Sequence, residues 1–500
     1  MATMPENLPN PNAPTNTTAA EYPGGRLLID GEWIGTDQRE RIPVENPANK
    51  QTIGYAPVAT KADIEKALAS SARAYQEWRQ TDPHHRAAII TKAAQLLRER
   101  AEPIARMMTL ENGKHLGDSR GEVLFTADVM DSMAQDAAHV FGEVLPVAAG
   151  QRTLVVKEPI GPIAAFTTWN YPVTVPARKI SAALAAGCTV IIKPAEETPA
   201  STTALVEAFM DAGLPAGVVN MLYGDPAQIS SALIESPVTR KVSFTGSTPV
   251  GKHLAQLAGA QAKPIMLELG GHAPVLIFDD APVEAIAQSA YWSKLHNSGQ
   301  SCGAPTRFIV QKGVYDRFVR AYADLLADTV VADGLTEGVQ LAPLASQRRF
   351  DAMAPLVADA VAKGARVVAG GSGDDAAGYY FEPTLLADVP AEAAIMQEEP
   401  FGPISVAVPF NNDDDAIEIA NNVEYGLAAM VFTANADRAM RMADALDFGM
   451  VSINKFGVGG RDTYFGGRKA SGFGSEGGPS ALEEYLTKKL VAQGRLADLG

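Results

Sequence analysis

The regular alternation of short apolar runs with segments of helical periodicity constrains this fold more than any other feature. Between residues 163 and 259, strand-like runs and helical segments follow one another four times, and a second block of the same kind runs from about 272 to 446. Strands that alternate with helices of this length form parallel sheets covered on both faces. We therefore predict an α/β fold with two doubly wound domains. Helical periodicity also covers 61–80, 84–113, 120–141 and 347–363.

The charge balance and the two cysteines exclude several classes of protein. The formal net charge is −16, and no block of lysine or arginine interrupts this acidity, so nucleic acid and anionic membranes are poor candidates as partners. Two cysteines in 500 residues provide no disulfide framework and indicate a reducing cytoplasm. The polar segment 1–20 lacks the basic start and apolar stretch of a secretory signal, and we predict a disordered tail there.

The surroundings of the two cysteines differ. Cys302 follows the small, polar run NSGQS, which suits a reactive thiol, although a packed core cysteine is about as consistent with this stretch taken alone. Cys188 lies beside the apolar run TVII and is predicted to be a buried structural residue. The seven histidines have no zinc-like spacing to either cysteine, and we predict no metal site.

Two loops that follow predicted strands are candidates for nucleotide binding. Gly246 and Ser247 lie where a strand turns into a helix, and amides at a helix start can hold a phosphate; an ordinary capped helix start is the alternative. Lys193 and Glu196 follow the strand TVII, at the edge of an open sheet where nucleotides bind. A carboxylate there accepts hydrogen bonds from ribose hydroxyls and repels a 2′-phosphate, so Glu196 favours NAD over NADP. A solvated loop charge is the alternative reading.

Two further polar residues are candidates for catalysis. Glu268 lies between two leucines and beside paired glycines, where partial burial raises a carboxyl pKa and makes a general base. Asn170 follows a predicted strand, and its amide can donate to a developing oxyanion. The alternatives are a paired loop charge and a turn asparagine before a proline.

Taken together and in order, seven segments resemble the motifs of the aldehyde dehydrogenase superfamily. They cover 161–170, 193–196, 244–251, 268–271, 299–302, 398–403 and 465–472, within a similarity that extends over about residues 25–490. The resemblance implies that a cysteine thiolate attacks the aldehyde carbon, that the thiohemiacetal transfers a hydride to NAD(P)⁺, and that glutamate-activated water hydrolyses the thioester. Family members that make acyl-CoA lack this glutamate, so Glu268 implies a free acid product.

The resemblance also assigns roles to individual residues. The catalytic set is Cys302 as nucleophile, Glu268 as base, Asn170 as oxyanion donor, with Lys179 in support. The set expected to bind NAD, with NADP as the alternative, comprises Trp169, Lys193, Glu196, Gly246, Ser247, Glu399 and Phe401.

The substrate is less closely defined by the resemblance. Within the family the chain most resembles dehydrogenases of α-ketoglutaric and succinic semialdehyde, which clamp a distal carboxylate with arginines. Arg178 matches the first arginine, whereas the position of the second is His296. An aromatic or longer aliphatic aldehyde therefore stays open, and Phe456 is expected to border the substrate entrance. A thioesterase-like hydrolase without redox chemistry and a non-catalytic binding protein are the alternatives from other classes.

The expected domain organisation follows from the same resemblance. The NAD-binding domain comprises 21–144 and 159–269, the catalytic domain 270–447, and an active-site loop region 448–482 returns to the cofactor domain. The β-rich segments 145–158 and 483–500 fit neither core and are expected to be oligomerisation strands of a homodimer or homotetramer.

Overall fold

The computed structural model describes residues 22–495 of the chain, so the predicted tail at 1–20 lies outside the described residues. Within them no helix is long and apolar enough to cross a membrane. The strands are β1 Leu27–Ile29, β2 Glu32–Ile34, β3 Arg41–Asn46, β4 Gln51–Pro57, β5 Glu143–Leu145, β6 Arg152–Pro159, β7 Ile163–Phe166, β8 Val190–Lys193, β9 Val219–Met221, β10 Lys241–Thr245, β11 Ile265–Glu268, β12 Ala273–Ile277, β13 Pro305–Gln311, β14 Arg366–Ala369, β15 Gly373–Asp374, β16 Tyr380–Phe381, β17 Thr384–Ala387, β18 Ile404–Phe410, β19 Tyr425–Gly426, β20 Ala428–Phe432, β21 Met450–Ile453, β22 Arg468–Lys469, β23 Gly472–Phe473 and β24 Leu486–Gln493.

Helices cover both faces of the larger sheets. They are α1 Lys61–Trp78, α2 Pro83–Glu99, α3 Ala101–Asn112, α4 Leu116–Asp136, α5 Thr174–Ala186, α6 Pro199–Asp211, α7 Pro226–Glu235, α8 Thr248–Ala260, α9 Val283–Leu295, α10 Tyr315–Ala327, α11 Gln347–Asp351, α12 Met353–Ala362, α13 Asp413–Asn421, α14 Ala436–Ala445 and α15 Ser480–Glu483. Short 3-10 turns occupy His296–Gly299 and Ala394–Met396.

Two of the predicted helices are each divided in two. The helical periodicity over 84–113 belongs to two helices, because α2 ends at Glu99 and α3 begins at Ala101; the predicted helix 347–363 is likewise divided at Ala352. In both cases a proline, Pro103 or Pro355, lies within the first turn of the second helix. Proline has no N–H to donate to the preceding turn, and its ring displaces the carbonyl there, which favours a fresh helix start.

The first large sheet has the strand order β2-β1-β9-β8-β7-β10-β11-β23. Its five central strands, β9, β8, β7, β10 and β11, are mutually parallel. The antiparallel strands β1, β2 and β23 extend the two sides. The chain runs outward from β7 to β8 and β9, then returns to continue on the other side with β10 and β11. The topological switch point therefore lies between β7 and β10.

The second large sheet has the order β14-β17-β18-β13-β12-β20-β21, with only β14 antiparallel to its neighbour. Its central strands are buried on both faces: Val275 and Ile277 of β12 belong to one apolar cluster, and Leu276 belongs to the other. This burial explains the continuous apolar runs from which the strands were predicted. The predicted fold class of two doubly wound α/β sheets is confirmed.

A small antiparallel sheet, β24-β6-β5, stands apart from these two. It gives the predicted fold its additional β extension, and β5 straddles the expected domain boundary at residues 144 and 145. Near the other end of the chain, β23 pairs with β11 of the first sheet. The domain boundaries and the oligomerisation role of the small sheet stay predictions.

Four residues connect the two large sheets. Glu268 is the last residue of β11, and β12 begins at Ala273. The carboxyl edge of the first sheet therefore meets the amino edge of the second. Cys302 lies three residues before β13, at that same amino edge. A Cβ added at Gly271 would lie 2.2 Å from the carbonyl oxygen of Cys302, so the connecting segment touches the cysteine loop directly.

Candidate active site

The predicted site residues converge on the edge where the two sheets meet. In the first sheet, Asn170 follows β7, Lys193 ends β8, Ser247 follows β10 and Glu268 ends β11. These are neighbouring parallel strands, so their carboxyl ends lie side by side around the switch point. Open α/β sheets bind their ligands in the crevice at this place.

The loop that presents Cys302 has an unusual backbone. Asn297, Ser298 and Gly299 have φ angles of 49°, 54° and 72°, three consecutive residues in the left-handed region. For residues other than glycine this conformation costs roughly 1–3 kcal/mol each, and it persists only where the surroundings hold it. A Cβ on Gly299 would lie 2.3 Å from the carbonyl oxygen of Gly402, so only glycine fits there.

Buried hydrogen bonds hold this loop in place. The backbone N–H of Asn297 donates to Oδ2 of Asp118 at 2.9 Å, and its side-chain Nδ2 donates to the carbonyl of Asn170 at 2.9 Å. The Ser298 hydroxyl donates to the carbonyl of Ala342 at 2.8 Å. Gln300 accepts the N–H of Ala345 at 3.0 Å. The strained run is thus fixed from three separate parts of the chain, and the cysteine three residues on is preorganised.

Cys302 itself is half-buried, unlike Cys188, which has no exposed surface. Burial raises the pKa of the Cys302 thiol, and the nearby carboxylates of Glu399, Glu268 and Glu476 raise it further. The thiol therefore needs a base to become a nucleophile. Cys188 donates to the carbonyl of Tyr485 at 3.3 Å, and burial raises its pKa to about 11, in agreement with its predicted structural role.

Glu268 is a buried carboxyl group whose two oxygens have no hydrogen-bond partner among the described residues. Burial raises its pKa well above the usual range, and the Glu476 carboxylate raises it further, against the opposing charges of Lys179 and Arg178. Buried polar atoms without partners are rare and mark functional positions. A carboxyl of this kind is more basic than an exposed one, as a general base requires.

The side chain of Asn170 is oriented by its neighbours. Its Oδ1 accepts the Thr168 hydroxyl at 2.7 Å, which leaves Nδ2 as the end that faces the cysteine loop. Nδ2 donates to the carbonyl of Gln300 at 3.0 Å, two residues before Cys302. The amide is therefore a fixed donor beside the thiol, as an oxyanion site requires.

Lys179 does not reach toward solvent. Its fully buried ammonium forms an ion pair with Glu476 and donates to the Ser243 hydroxyl at 3.0 Å. Glu476 also accepts the Thr245 hydroxyl at 3.2 Å. The pair joins α5 to the loop before α15, and it lies close enough to Glu268 for both charges to affect the pKa of that carboxyl.

The loops after β8 and β10 have the donor set that a dinucleotide needs. Ser247 is the N-cap residue of α8, yet its hydroxyl makes no capping bond, so both it and the helix-start amides stay available. Gly246 leaves no room for a side chain, because a Cβ would lie 2.2 Å from the ring of Phe244. Lys193 and Glu196 form an ion pair at the end of β8. These residues fit a bound pyrophosphate and ribose.

Glu399 and Phe401 come from the loop after the second 3-10 turn. Oε1 of Glu399 accepts the N–H of Gly271 at 3.0 Å, and burial raises the pKa of this carboxyl to about 7. Phe401, with a left-handed φ of 44°, packs edge-on against Trp169 with ring centroids 5.5 Å apart. The loop that carries Glu399 and Phe401 thus approaches the cysteine side of the cleft. There, these two residues fit the nicotinamide end of the same cofactor.

The three predicted substrate residues have different environments. Arg178 is buried between the rings of Phe125 and Phe465, and its Nη1 donates to the carbonyl of Glu476 at 3.0 Å. Its charge lies near Cys302 and Glu268. Phe456 packs against Phe432 of β20, with centroids 4.8 Å apart.

His296 is exposed and held by two neighbours. Its Nδ1 lies 2.9 Å from Oδ1 of Asp118, and its ring stacks on Tyr171 with centroids 6.3 Å apart. Tyr171 in turn lies close enough to Cys302 for the thiol to affect its pKa, which burial raises most strongly. His296 therefore stands at the outer end of a ring pair that leads to the cysteine.

Sequence reasoning assigned no role to Asp118, Lys294 or Glu476. Glu476 occurs in a loop of glycine and serine. Nothing in the sequence of such a loop indicates that its acidic residue will pair with Lys179. Asp118 lies in the first turn of α4, where an acidic residue is ordinary. Lys294 ends a helix, where a cation is equally ordinary.

Comparisons with known proteins agree with this geometry. Residues 33–491 match the model of the aldehyde dehydrogenase family. The chain is 44% identical to 4-(hydroxymethyl)benzenesulfonate dehydrogenase of Comamonas testosteroni, over 93% of this chain and 97% of the relative. It is 39% identical to the NADP(+) succinate-semialdehyde dehydrogenase of Escherichia coli K12, over 94% of this chain and 98% of the relative. A crystal structure of betaine aldehyde dehydrogenase from Staphylococcus aureus with NAD+ superposes with a TM-score of 0.91, at 33% identity and 94% coverage of each chain.

The family match spans most of the chain, and the relatives are covered almost completely. This protein therefore belongs to the aldehyde dehydrogenase family, and it is an oxidoreductase that uses NAD(P).

Proposed function

We propose that this protein oxidises an aldehyde to the free carboxylic acid through a thioester on Cys302. The observation that carries the proposal is the convergence of three elements on one point: the cysteine loop, the end of β11 with Glu268, and the segment after β7 with Asn170. A nucleophile, an unpartnered buried base and an oriented amide donor form the minimal set for acyl chemistry.

Each residue has a defined part in this route. The Cys302 thiol gives its proton to solvent water as the sulfur attacks the aldehyde carbon. The oxyanion that forms accepts hydrogen bonds from Nδ2 of Asn170 and the backbone N–H of Cys302. When bound, the dinucleotide supplies the acceptor for the hydride, which leaves a thioester on the sulfur. Glu268 then takes a proton from water, the hydroxide adds to the acyl carbon, and the carbon–sulfur bond breaks to release the acid.

The substrate that the site favours carries an anionic group distal to the aldehyde. Arg178 is a buried guanidinium near Cys302, and its one hydrogen bond to protein among the described residues leaves further donors for a carboxylate or sulfonate. The relatives named for succinate semialdehyde and for 4-(hydroxymethyl)benzenesulfonate share such a group. A semialdehyde with a distal carboxylate is our first candidate.

An aromatic aldehyde is the second candidate. The stacked pair of Tyr171 and His296 offers a flat surface beside the cysteine loop, and the pairing of His296 with Asp118 offsets any positive charge there. The name of the Comamonas relative supports this candidate, since it specifies a benzene ring. The carboxylate of Glu196 supports NAD as the preferred form of the cofactor.

A substrate screen tests the proposal. Formation of NADH or NADPH is followed with ω-oxo acids, aromatic and aliphatic aldehydes. Cys302→Ala should lower turnover by more than about 10³-fold, since the covalent route is lost. Cys188→Ala, the matched control, should keep its activity. Arg178→Ala should raise KM for anionic aldehydes about 10- to 100-fold and leave neutral ones little changed.

Three outcomes would contradict parts of the proposal. Full activity of the Cys302 variant would rule out the thioester. An equal effect of Arg178→Ala on neutral and anionic aldehydes would rule out recognition of a distal anion. Higher kcat/KM with NADP⁺ than with NAD⁺ would overturn the preference assigned to Glu196.

We also propose that the sheet β24-β6-β5 joins subunits of a homodimer or homotetramer. Its antiparallel strands expose apolar side chains on the surface, among them Val144 and Leu490. The domain boundaries and the cytoplasmic location derived from the sequence belong to the same proposal.

A further inference from the structure

Lys294 is a buried lysine that the proposed route does not use. It lies in the last turn of α9 with 1% of its surface exposed, and its Nζ has no hydrogen-bond partner among the described residues. A buried ammonium without partners is costly, so a structural role alone does not explain this residue. A methionine would fill the same space without a charge.

The position of Lys294 links it to the loop that carries Glu399. Its Cε lies 3.3 Å from the place a Cβ would take on Gly299, and that place is itself 2.3 Å from the carbonyl oxygen of Gly402. The lysine stem therefore passes beneath the contact between the cysteine loop and the loop 398–403. The charges of Lys294 and Glu399 each favour ionisation of the other.

Glu399 is held in place, but no lysine, arginine or histidine among the described residues forms a direct ion pair with it. Oε1 accepts the N–H of Gly271, and Oε2 lies 2.6 Å from the place a Cβ would take on Gly270. The charged and titratable groups that act on or respond to this carboxylate are Lys294, Arg349, Cys302 and Tyr425. The Arg349 guanidinium donates to the carbonyls of Pro400 and Phe401, and its charge favours ionisation of Glu399 more strongly than that of Lys294 does.

We propose that Lys294 is a positioning residue for the cofactor: its buried ammonium keeps the Glu399 carboxylate ionised, so that both oxygens can accept hydrogen bonds from ribose hydroxyls. A protonated carboxyl loses acceptor capacity and becomes a donor. This inference rests on the proposed binding of the nicotinamide ribose by Glu399.

The proposal makes cofactor affinity depend on pH near neutrality. Burial raises the pKa of Glu399 to about 7 and lowers the pKa of Lys294 to about 7, so the two groups titrate as a coupled pair. Burial raises the pKa of Cys302 beyond this range and that of Tyr425 to about 12, so neither titrates here. Removal of the lysine charge should raise the pKa of Glu399 and move tight binding to higher pH.

Direct binding of NAD⁺, measured by calorimetry from pH 6 to 9, tests this inference without turnover. Lys294→Met should weaken binding about fivefold at pH 7, because a rise of about one unit in the pKa of Glu399 lowers its ionised fraction from about one half to about one tenth, and it should approach the wild type at pH 9. Lys294→Arg retains the charge and should restore binding at pH 7. Lys312→Met, which removes an exposed lysine after β13, should bind like the wild type.

Glu399→Gln separates this inference from the proposal on which it rests. This variant should bind weakly at every pH, because an amide cannot be ionised. If it does so while Lys294→Met keeps the wild-type profile, the role of Lys294 is wrong and the ribose site stands. If Glu399→Gln binds like the wild type, the assignment of Glu399 itself is wrong. Thermal unfolding of each variant shows whether it is folded, and equal weakening of the Met and Arg variants at all pH values would indicate a packing effect only.

Discussion

The buried glutamates of this protein differ in how fully their oxygens are bonded. Glu122 accepts the Lys114 ammonium at 2.6 Å and the backbone N–H groups of Val173 and Thr174 at 2.9 and 3.1 Å. Such a carboxylate joins α4 to the segment before α5. Glu268 has none of these bonds, although it is buried as deeply. The difference separates a carboxylate that stabilises the fold from one that is available for chemistry.

Glu268→Gln should stop the reaction at the thioester. An amide cannot activate water, so hydrolysis should fall about 10²- to 10⁴-fold, and the first turnover should release about one NADH per site. Rapid mixing measures this burst, and mass spectrometry of the intact protein detects the acyl group on Cys302. Glu122→Gln should lower the melting temperature and show no burst. In the wild type, the raised pKa of Glu268 should place the acidic limb of hydrolysis well above pH 4.5. Continued hydrolysis in Glu268→Gln would require a different base.

At the scale of elements, the cysteine loop depends on contacts that are remote in the sequence. Its left-handed run is held by Asp118, 179 positions before Asn297, and by the carbonyls of Asn170 and Ala342. The geometry of the nucleophile is thus a property of α4, the segment after β7 and the loop before α11 together. A small error in this loop moves the sulfur relative to Glu268.

Gly299→Ala should displace the loop. The φ of 72° is strained for alanine, and its Cβ would collide with the carbonyl oxygen of Gly402. We expect kcat to fall about 10²-fold, since a shift of about 1 Å in a reacting group has an effect of this size. Steady-state kinetics and the melting temperature are the measurements. Gly303→Ala is the matched control, because only Val458 lies within 4 Å of the added Cβ, at 3.8 Å. Equal losses in the two variants would contradict the argument.

The sequence predicts most of the architecture and less of the site. Strand–helix alternation predicts both sheets, because the spacing of apolar residues and the length of each segment can be read from neighbouring residues alone. The prolines at 103 and 355 also carry a local signal, which a periodicity argument overlooks. Asparagine tolerates a left-handed φ, but this propensity alone does not predict one at Asn297, because the contact that holds its backbone comes from α4. Lys294 resembles any cation at a helix end, and only the fold shows that its ammonium is buried near Glu399.

For the molecule as a whole, the small sheet β24-β6-β5 carries exposed apolar side chains that a partner subunit would cover. Val144 is 78% exposed and Leu490 is 63% exposed, as expected for apolar side chains of a subunit interface. Within residues 22–495, strand β24 has a paired neighbour on one side only, so its other edge presents backbone groups that no described strand bonds.

Leu490→Lys should weaken the association of subunits, because a charge would replace an apolar contact. Light scattering coupled to size-exclusion chromatography measures the mass at several protein concentrations. Val361→Lys on α12, where the valine is 45% exposed, is the matched control and should keep the wild-type mass. If Leu490→Lys also keeps that mass while the wild type is oligomeric, this sheet is not the interface.

The four-residue segment 269–272 sets the distance between Glu268 and Cys302 through the backbone alone. It joins the last residue of one sheet to the first strand of the other and touches the cysteine loop at Gly271. Insertion of a single amino acid would displace the second sheet by up to about 3.5 Å, more than the length of a hydrogen bond. The spacing between proton acceptor and sulfur is therefore encoded in a count of peptide units. Engineering that lengthens or trims this enzyme has to leave that count at four and seek its freedom in the outer loops.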